Sequence, residues 1–152
     1  NKSLEEILDR SVRAKAEIVS QDELEGGIRA YLNYGHTFGH VIETLCGYGT
    51  WLHGEAVSIG MVAAGELSKQ LGYWSNEDAK RQINLLKKIG LPIKWPKLDS
   101  DQVIRCLGGD KKVKDGKVRF VLPSKIGSVK IFNNVEEVQI RECIKVLTMM
   151  DL

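Results

Sequence analysis

The sequence predicts a mainly α-helical, multihelical fold with one small β-hairpin. Three observations lead there. Apolar residues recur at helical spacing through most of the 152 residues. Cap-type residues precede these stretches, and glycine or proline follows several of them. One region, after Gly108-Gly109, instead reads as two short strands.

The elements follow in order. Ser3 with Glu6 forms a capping box opening a helix to about Ser20. Leu4, Ile7, Leu8, Val12, Ile18 and Val19 share one face of it, with Lys15 near the middle at roughly 100° per residue. A lysine centred on a buried stripe is costly unless it finds a partner, reaches a cavity or snorkels to water. Gly26-Gly27 breaks the chain before Ile28–Asn33. A second helix begins near Gly35, with Phe38, Val41, Ile42 and Leu45 on one side and His36, His40 and Glu43 on the other. Gly47-Tyr48-Gly49 is a turn.

His53 starts a third helix running to about Leu71. Ala56, Gly60, Ala63, Ala64 and Gly65 weaken its intrinsic stability but permit close helix contact, which marks it as central and buried. A fourth helix starts at Ser75 and stops at Lys88-Ile89-Gly90-Leu91-Pro92. Ser100 caps a short fifth helix through Leu107. Val118–Leu122 and Val129–Phe132 are the strands, around Pro123-Ser124-Lys125-Ile126-Gly127. Asn134 with Glu137 introduces a last helix to about Leu147. No glycine-rich strand-to-helix turn is present to cradle a dinucleotide.

The composition, 43% apolar and 28% charged, belongs to a globular protein with a sizeable core. A formal charge of +2, with both signs interspersed, calls for no nucleic-acid partner. The most basic segment, Lys111 to Lys117, is interrupted by Asp115 and reads as solvated surface. Cys46, Cys106 and Cys143 are odd in number and widely spaced, without a CxxC, which fits a reducing cytoplasm. No stretch is long and apolar enough to span a membrane, and the amino end lacks a secretory hydrophobic run. The first residue is Asn1, so the chain is expected to be an excised portion of a longer polypeptide.

All three histidines fall within Asn33-Tyr34-Gly35-His36-Thr37-Phe38-Gly39-His40 and Leu52-His53-Gly54-Glu55. Imidazole is the commonest metal ligand and titrates near neutrality, so a metal or proton-transfer site is the first expectation. His36 and His40 lie one helical turn apart, and His53 can complete a pair from the next helix. Catalytic zinc commonly has three protein ligands and an open position. Glu43, Glu55 or a carboxylate from another segment are the candidates for the remainder. Glu43 can instead orient an imidazole, and Glu55 can simply cap its helix. Lys15, Arg29, Asn33, Lys111 and Lys112 are candidate ligands for an anionic substrate, although each taken singly reads more readily as an ordinary solvated or structural polar residue. The spacing Arg29-x-x-x-Asn33-x-x-His36 groups cation, amide and imidazole along the chain.

The run from Arg29 through His40 and on to Val41-Ile42-Glu43 resembles the signature of 3-dehydroquinate synthase. Trp51-Leu52-His53-Gly54-Glu55-Ala56-Val57 with Gly60-Met61, Lys15-Ala16-Glu17-Ile18-Val19 and Asp110-Lys111-Lys112-Val113 also match that family, so the resemblance covers almost the whole chain. It implies the helical, metal- and substrate-binding carboxy-terminal domain of that enzyme, with an amino-terminal NAD-binding domain outside this chain and a homodimer when complete. The family converts 3-deoxy-D-arabino-heptulosonate 7-phosphate to 3-dehydroquinate and phosphate in the shikimate pathway, using NAD and Zn2+ or Co2+. The implied steps are alcohol oxidation, phosphate elimination, re-reduction, ring opening and aldol closure.

By resemblance, His36 and His53 bind the metal and His40 moves protons or contacts substrate. Lys15 and Arg29 hold the substrate carboxylate, Asn33 contacts its polar groups, and one of Lys111 and Lys112 approaches the phosphate. The family's third metal ligand is a glutamate upstream of this chain. These residues alone are therefore expected to bind metal weakly and to lack synthase activity. Three rival readings are another sugar-phosphate cyclase such as a 2-deoxy-scyllo-inosose synthase, a helical metal-dependent phosphohydrolase, and a non-enzymatic helical interaction module.

Overall fold

Two compact units divide the chain, Asn1–Asn33 and Tyr34–Leu152. The computed structural model describes residues 2–24, 27–47, 49–109 and 118–150. In the first unit, α1 spans Lys2–Gln21, close to the expected bounds, but Ser3 lies inside the helix and not ahead of it as a cap. Glu6 pairs with Arg10 at 2.7 Å and Asp9 with Arg13 at 2.8 Å, both on the solvated surface. Such one-turn pairs add a few tenths of a kcal/mol each. The apolar stripe differs from expectation. Leu4, Ile7, Leu8 and Val12 are all more than half exposed, and Lys15 is exposed too. Helical spacing reveals which residues share a face, but only a covering neighbour buries that face.

Beyond α1, Ile28–Asn33 forms a 3-10 helix where the sequence reading assigned no element. The Asp22 carboxylate accepts the backbone N–H groups of Gly27 at 2.7 Å and Arg29 at 2.9 Å. One side chain thus satisfies two donors that would otherwise lack partners at the start of this turn.

In the second unit, α2 (His36–Cys46), α3 (His53–Gln70), α4 (Asn76–Lys88), α5 (Ser100–Gly109) and α6 (Glu137–Met149) accompany strands β1 (Phe120–Lys125) and β2 (Ser128–Phe132). Helix α3 is the centre, in contact with α2, α4, α6 and β1. It is buried from Ala56 to Gly60 and from Val62 to Ser68, as its small residues suggested. A helix enclosed on every side must satisfy its polar side chains internally. Ser58 donates to the Pro92 carbonyl at 2.8 Å, Ser68 to the Pro123 carbonyl at 2.5 Å, and Glu66 pairs with Lys69 at 2.5 Å. The two serine bonds tie the α4–α5 connection and the hairpin to α3.

Phe38 projects from α2 into an aromatic group, with ring centroids 5.9 Å from Trp95 and 5.6 Å from Phe120. Burying such a ring contributes about 1.5–3 kcal/mol. The strands pair antiparallel, Phe120 opposite Phe132 and Val121 opposite Ile131. Strand β1 runs on through Pro123 and Ser124, which the sequence assigned to the turn. A two-stranded ribbon has open edges, so a proline without an N–H is tolerated there.

Ser75 caps α4 as expected, accepting the Asp78 N–H at 3.0 Å. Two other caps are displaced. Asp99, not Ser100, accepts from Gln102 N at 2.9 Å. Helix α6 begins with Gln139 accepting from Glu136 N at 2.9 Å, not with the Asn134–Glu137 pair. Among the described residues no helix is long and apolar enough to cross a membrane.

Candidate metal centre

The site is built on the crossing of α2 and α3, and three glycines set that crossing. Gly35, at φ +80°, is the N-cap of α2. A Cβ there would lie 2.8 Å from the Val57 carbonyl oxygen and 2.7 Å from Met61 Cγ. One on Gly60 would lie 2.0 Å from the Gly35 oxygen and 2.7 Å from the Gly39 nitrogen, and one on Gly39 3.2 Å from Val57 Cα. Backbone therefore meets backbone. The apolar side of α2 (Phe38, Val41, Ile42) is buried, while His36, His40 and Glu43 are half-buried, as their spacing predicts.

Glu55 completes the local frame of His53. Its carboxylate accepts the Leu52 N–H at 2.8 Å, satisfying a donor left over at the start of α3. It is a cap. Helix α3 thus opens at His53 on the side where α2 presents its histidines.

The three imidazoles converge. Ring centroids are 5.2 Å apart for His36 and His53, 5.8 Å for His36 and His40, and 6.0 Å for His40 and His53. Nδ1 of His36 lies 3.2 Å from the Tyr34 carbonyl oxygen. A carbonyl only accepts, so Nδ1 carries the proton and the ring lone pair is on Nε2. His53 Nδ1 lies 3.0 Å from Glu43 Oε1. One ligand atom from each of His40, Glu43 and His53 falls within 4.8 Å of the others. Of the expected pair, His53 belongs to this group and His36 does not; the His36 ring lies beside it, its centroid 5.2 Å from that of His53. Neutral imidazole nitrogens with one carboxylate are a donor set suited to zinc or cobalt.

Sequence reasoning missed the support beneath His36. The Tyr34 hydroxyl donates to Gln82 Oε1 at 2.5 Å, anchoring the residue whose carbonyl holds His36. Burial pushes the Tyr34 hydroxyl pKa well up, so it remains a neutral donor. No spacing signal could reveal a partner in α4 or a role played by a backbone carbonyl.

The other candidates lie in the first unit or outside the described residues. Lys15 is exposed on α1, and Arg29 and Asn33 belong to the 3-10 helix. The Arg29 guanidinium donates to the Glu23 carbonyl. Lys111 and Lys112 fall outside the described residues. A cavity of about 310 Å³ between α3 and α4, walled by Glu66, Lys69 and Trp74, is lined by none of the histidines.

Fold and cluster together define a class: a multihelical domain with imidazole and carboxylate donors gathered at a helix crossing. Residues 1–113 match the family described as 3-dehydroquinate synthase C-terminal. The chain belongs to that family.

Relatives named 3-dehydroquinate synthase include those of Prochlorococcus marinus strain NATL1A, 62% identical over 95% of this chain, and Synechococcus sp. strain CC9605, 59% identical over 93%. The chain spans 39% and 38% of those relatives' lengths. Among solved structures, 2-epi-5-epi-valiolone synthase from Streptomyces hygroscopicus subsp. jinggangensis 5008, with NAD+ and Zn2+ bound, superposes with a TM-score of 0.84 at 25% identity, covering 97% of this chain and 41% of that one. A 2-deoxy-scyllo-inosose synthase complexed with carbaglucose-6-phosphate, NAD+ and Co2+ gives 0.80 at 28% identity, covering 95% and 42%.

Proposed function

We propose that the complete protein carrying this chain is a 3-dehydroquinate synthase of the shikimate pathway. It converts 3-deoxy-D-arabino-heptulosonate 7-phosphate to 3-dehydroquinate and phosphate in the cytoplasm. This chain is its metal- and substrate-binding part. The observation that carries the reading is the convergence of His36, His40 and His53 at the α2–α3 crossing, in a chain 62% identical to a curated synthase. The two cyclase structures are less similar in sequence, at 25% and 28%, so their substrates are the weaker reading.

His36 and His53 hold a divalent cation, Zn2+ or Co2+, with a carboxylate from the preceding part of the protein. Both neighbouring cyclase structures contain such an ion and NAD+. The cation supplies a Lewis acid for the substrate hydroxyls, and NAD, held by an amino-terminal domain, supplies a recycled oxidant. His40, on the same face of α2 as His36, moves a proton at the substrate. Lys15 and Arg29 bind the substrate carboxylate, Arg29 by its planar fork and Lys15 as a point charge. Asn33 contacts substrate hydroxyls, and one of Lys111 and Lys112 receives the phosphate. The complete protein is a homodimer, and the 152-residue piece alone is inactive.

Turnover of the heptulosonate phosphate by the full-length protein, with NAD and Co2+, is the test. Activity is expected there and not in the piece. His36→Ala and His53→Ala should each lose bound metal together with turnover. Full metal stoichiometry in both variants would remove the ligand assignment. Preference for glucose 6-phosphate would move the protein to the inosose synthases.

A further inference from the structure

We propose that Glu43 positions His53, fixing its tautomer and ring orientation so that Nε2 is the atom presented to the metal. This rests on the metal-site reading above. The two residues come from different helices, Glu43 from the middle of α2 and His53 from the first turn of α3. Their contact, Nδ1 to Oε1 at 3.0 Å, is a hydrogen bond of ordinary length.

The burial of the pair is unequal. The Glu43 side chain is 16% exposed and that of His53 57%. An imidazole so exposed at a helix start can turn about its side-chain bonds, whereas the carboxylate is held among neighbours. The less mobile partner therefore sets the orientation of the more mobile one. A carboxylate only accepts, so it retains the proton on His53 Nδ1 and leaves the lone pair on Nε2. Without it, the ring is released to the opposite tautomer and to other orientations, and the metal must reselect the productive one on binding. A carboxylate behind a metal-bound imidazole also raises its basicity, and loss of such a partner costs 10–100-fold in metal affinity as a general magnitude.

The reading separates Glu43 from a direct ligand, although its carboxylate belongs to the donor group of three. With Oε1 engaged by the His53 Nδ1–H, a cation would have to take Glu43 through Oε2, and the Co2+ spectrum of the variants distinguishes that arrangement.

The test uses the full-length protein and the variants Glu43→Gln and Glu43→Ala. The first readout is the 15N shift of His53 in metal-free protein. Wild type should carry the proton on Nδ1. Glu43→Gln should retain this, because the amide oxygen still accepts, and Glu43→Ala should shift toward Nε2–H. The second readout is Co2+ titration followed by visible absorption. Affinity should fall roughly 10-fold in Glu43→Gln and up to about 100-fold in Glu43→Ala, with an unchanged absorption envelope at saturation because the ligands are the same.

A metal-free wild type with the proton on Nε2 would overturn the proposal. So would an equal loss in both variants with an altered Co2+ spectrum, the signature of a lost ligand. The tautomer is read without metal, so failure of the metal-site reading, seen as no Co2+ binding by wild type, is distinguishable from failure of this one.

Discussion

Replacing Gly60 with alanine tests whether backbone contact sets the geometry of the histidine cluster. The added Cβ would sit 2.0 Å from the Gly35 carbonyl oxygen, 1.4 Å short of the 3.4 Å at which ordinary contact begins, and 2.7 Å from the Gly39 nitrogen. Neither neighbour is a side chain that can rotate away, so α2 and α3 must separate. Overpacking relieved by side-chain movement costs about 1–3 kcal/mol, and a backbone-to-backbone clash belongs at the top of that range. Alanine's better helix propensity returns at most about 1 kcal/mol, leaving a net loss of about 2 kcal/mol or more. For a domain of this size that lowers Tm by roughly 4–8 °C. Separation also moves His36 and His40 away from His53, so Co2+ affinity should fall with stability. The assay is thermal unfolding by circular dichroism of the full-length protein, paired with Co2+ titration. Gly108→Ala is the control, because a Cβ there meets nothing within 4 Å, and it should melt at or slightly above wild type. A Gly60→Ala protein melting with wild type and binding Co2+ normally would refute the reasoning.

Three further outcomes are expected. Phe38→Ala, which empties the space beside Trp95 and Phe120, should cost about 3–5 kcal/mol in urea unfolding; a loss under about 1 kcal/mol would show that the group collapses onto the gap. Glu55→Ala leaves the Leu52 N–H without its acceptor and should cost about 1 kcal/mol, checked by the same titration. Burial pushes the Cys143 thiol up from its ordinary value of 9.0, so the folded state keeps a proton that the unfolded chain releases. Stability from this group is therefore complete below about pH 9 and declines above it, by up to tenfold in the unfolding constant per pH unit. Tyr34, also raised from 10.0, adds to the decline above pH 10. Cys143→Ala should flatten the fall between pH 9 and 10, and an unchanged slope would contradict it.

Much of the fold was legible because its signals are local. Ser75 marked the start of α4, and Gly90 before Pro92 its end. The small residues of α3 marked it as the buried centre, and it is buried through Ala56–Gly60 and Val62–Ser68. The failures are local ambiguities that geometry breaks. Asp99 and Ser100 are both cap residues one position apart, and only the reach of one carboxylate to Gln102 N selects Asp99. The stripe on α1 was read correctly as a face but wrongly as buried, since periodicity contains no information about the neighbour.

The sequence by itself determined that His36, His40 and Glu43 share one side of α2, because steps of four and three are nearly whole helical turns. It also determined that Phe38, Val41 and Ile42 occupy the other side. Only the tertiary structure decided that His53 joins them, that Glu43 meets its Nδ1, and that Tyr34 is anchored by Gln82. Those outcomes depend on the distance between helices. Backbone contact at Gly35, Gly39 and Gly60 sets that distance, and the partners in such a contact are joined by packing, not by their spacing along the chain.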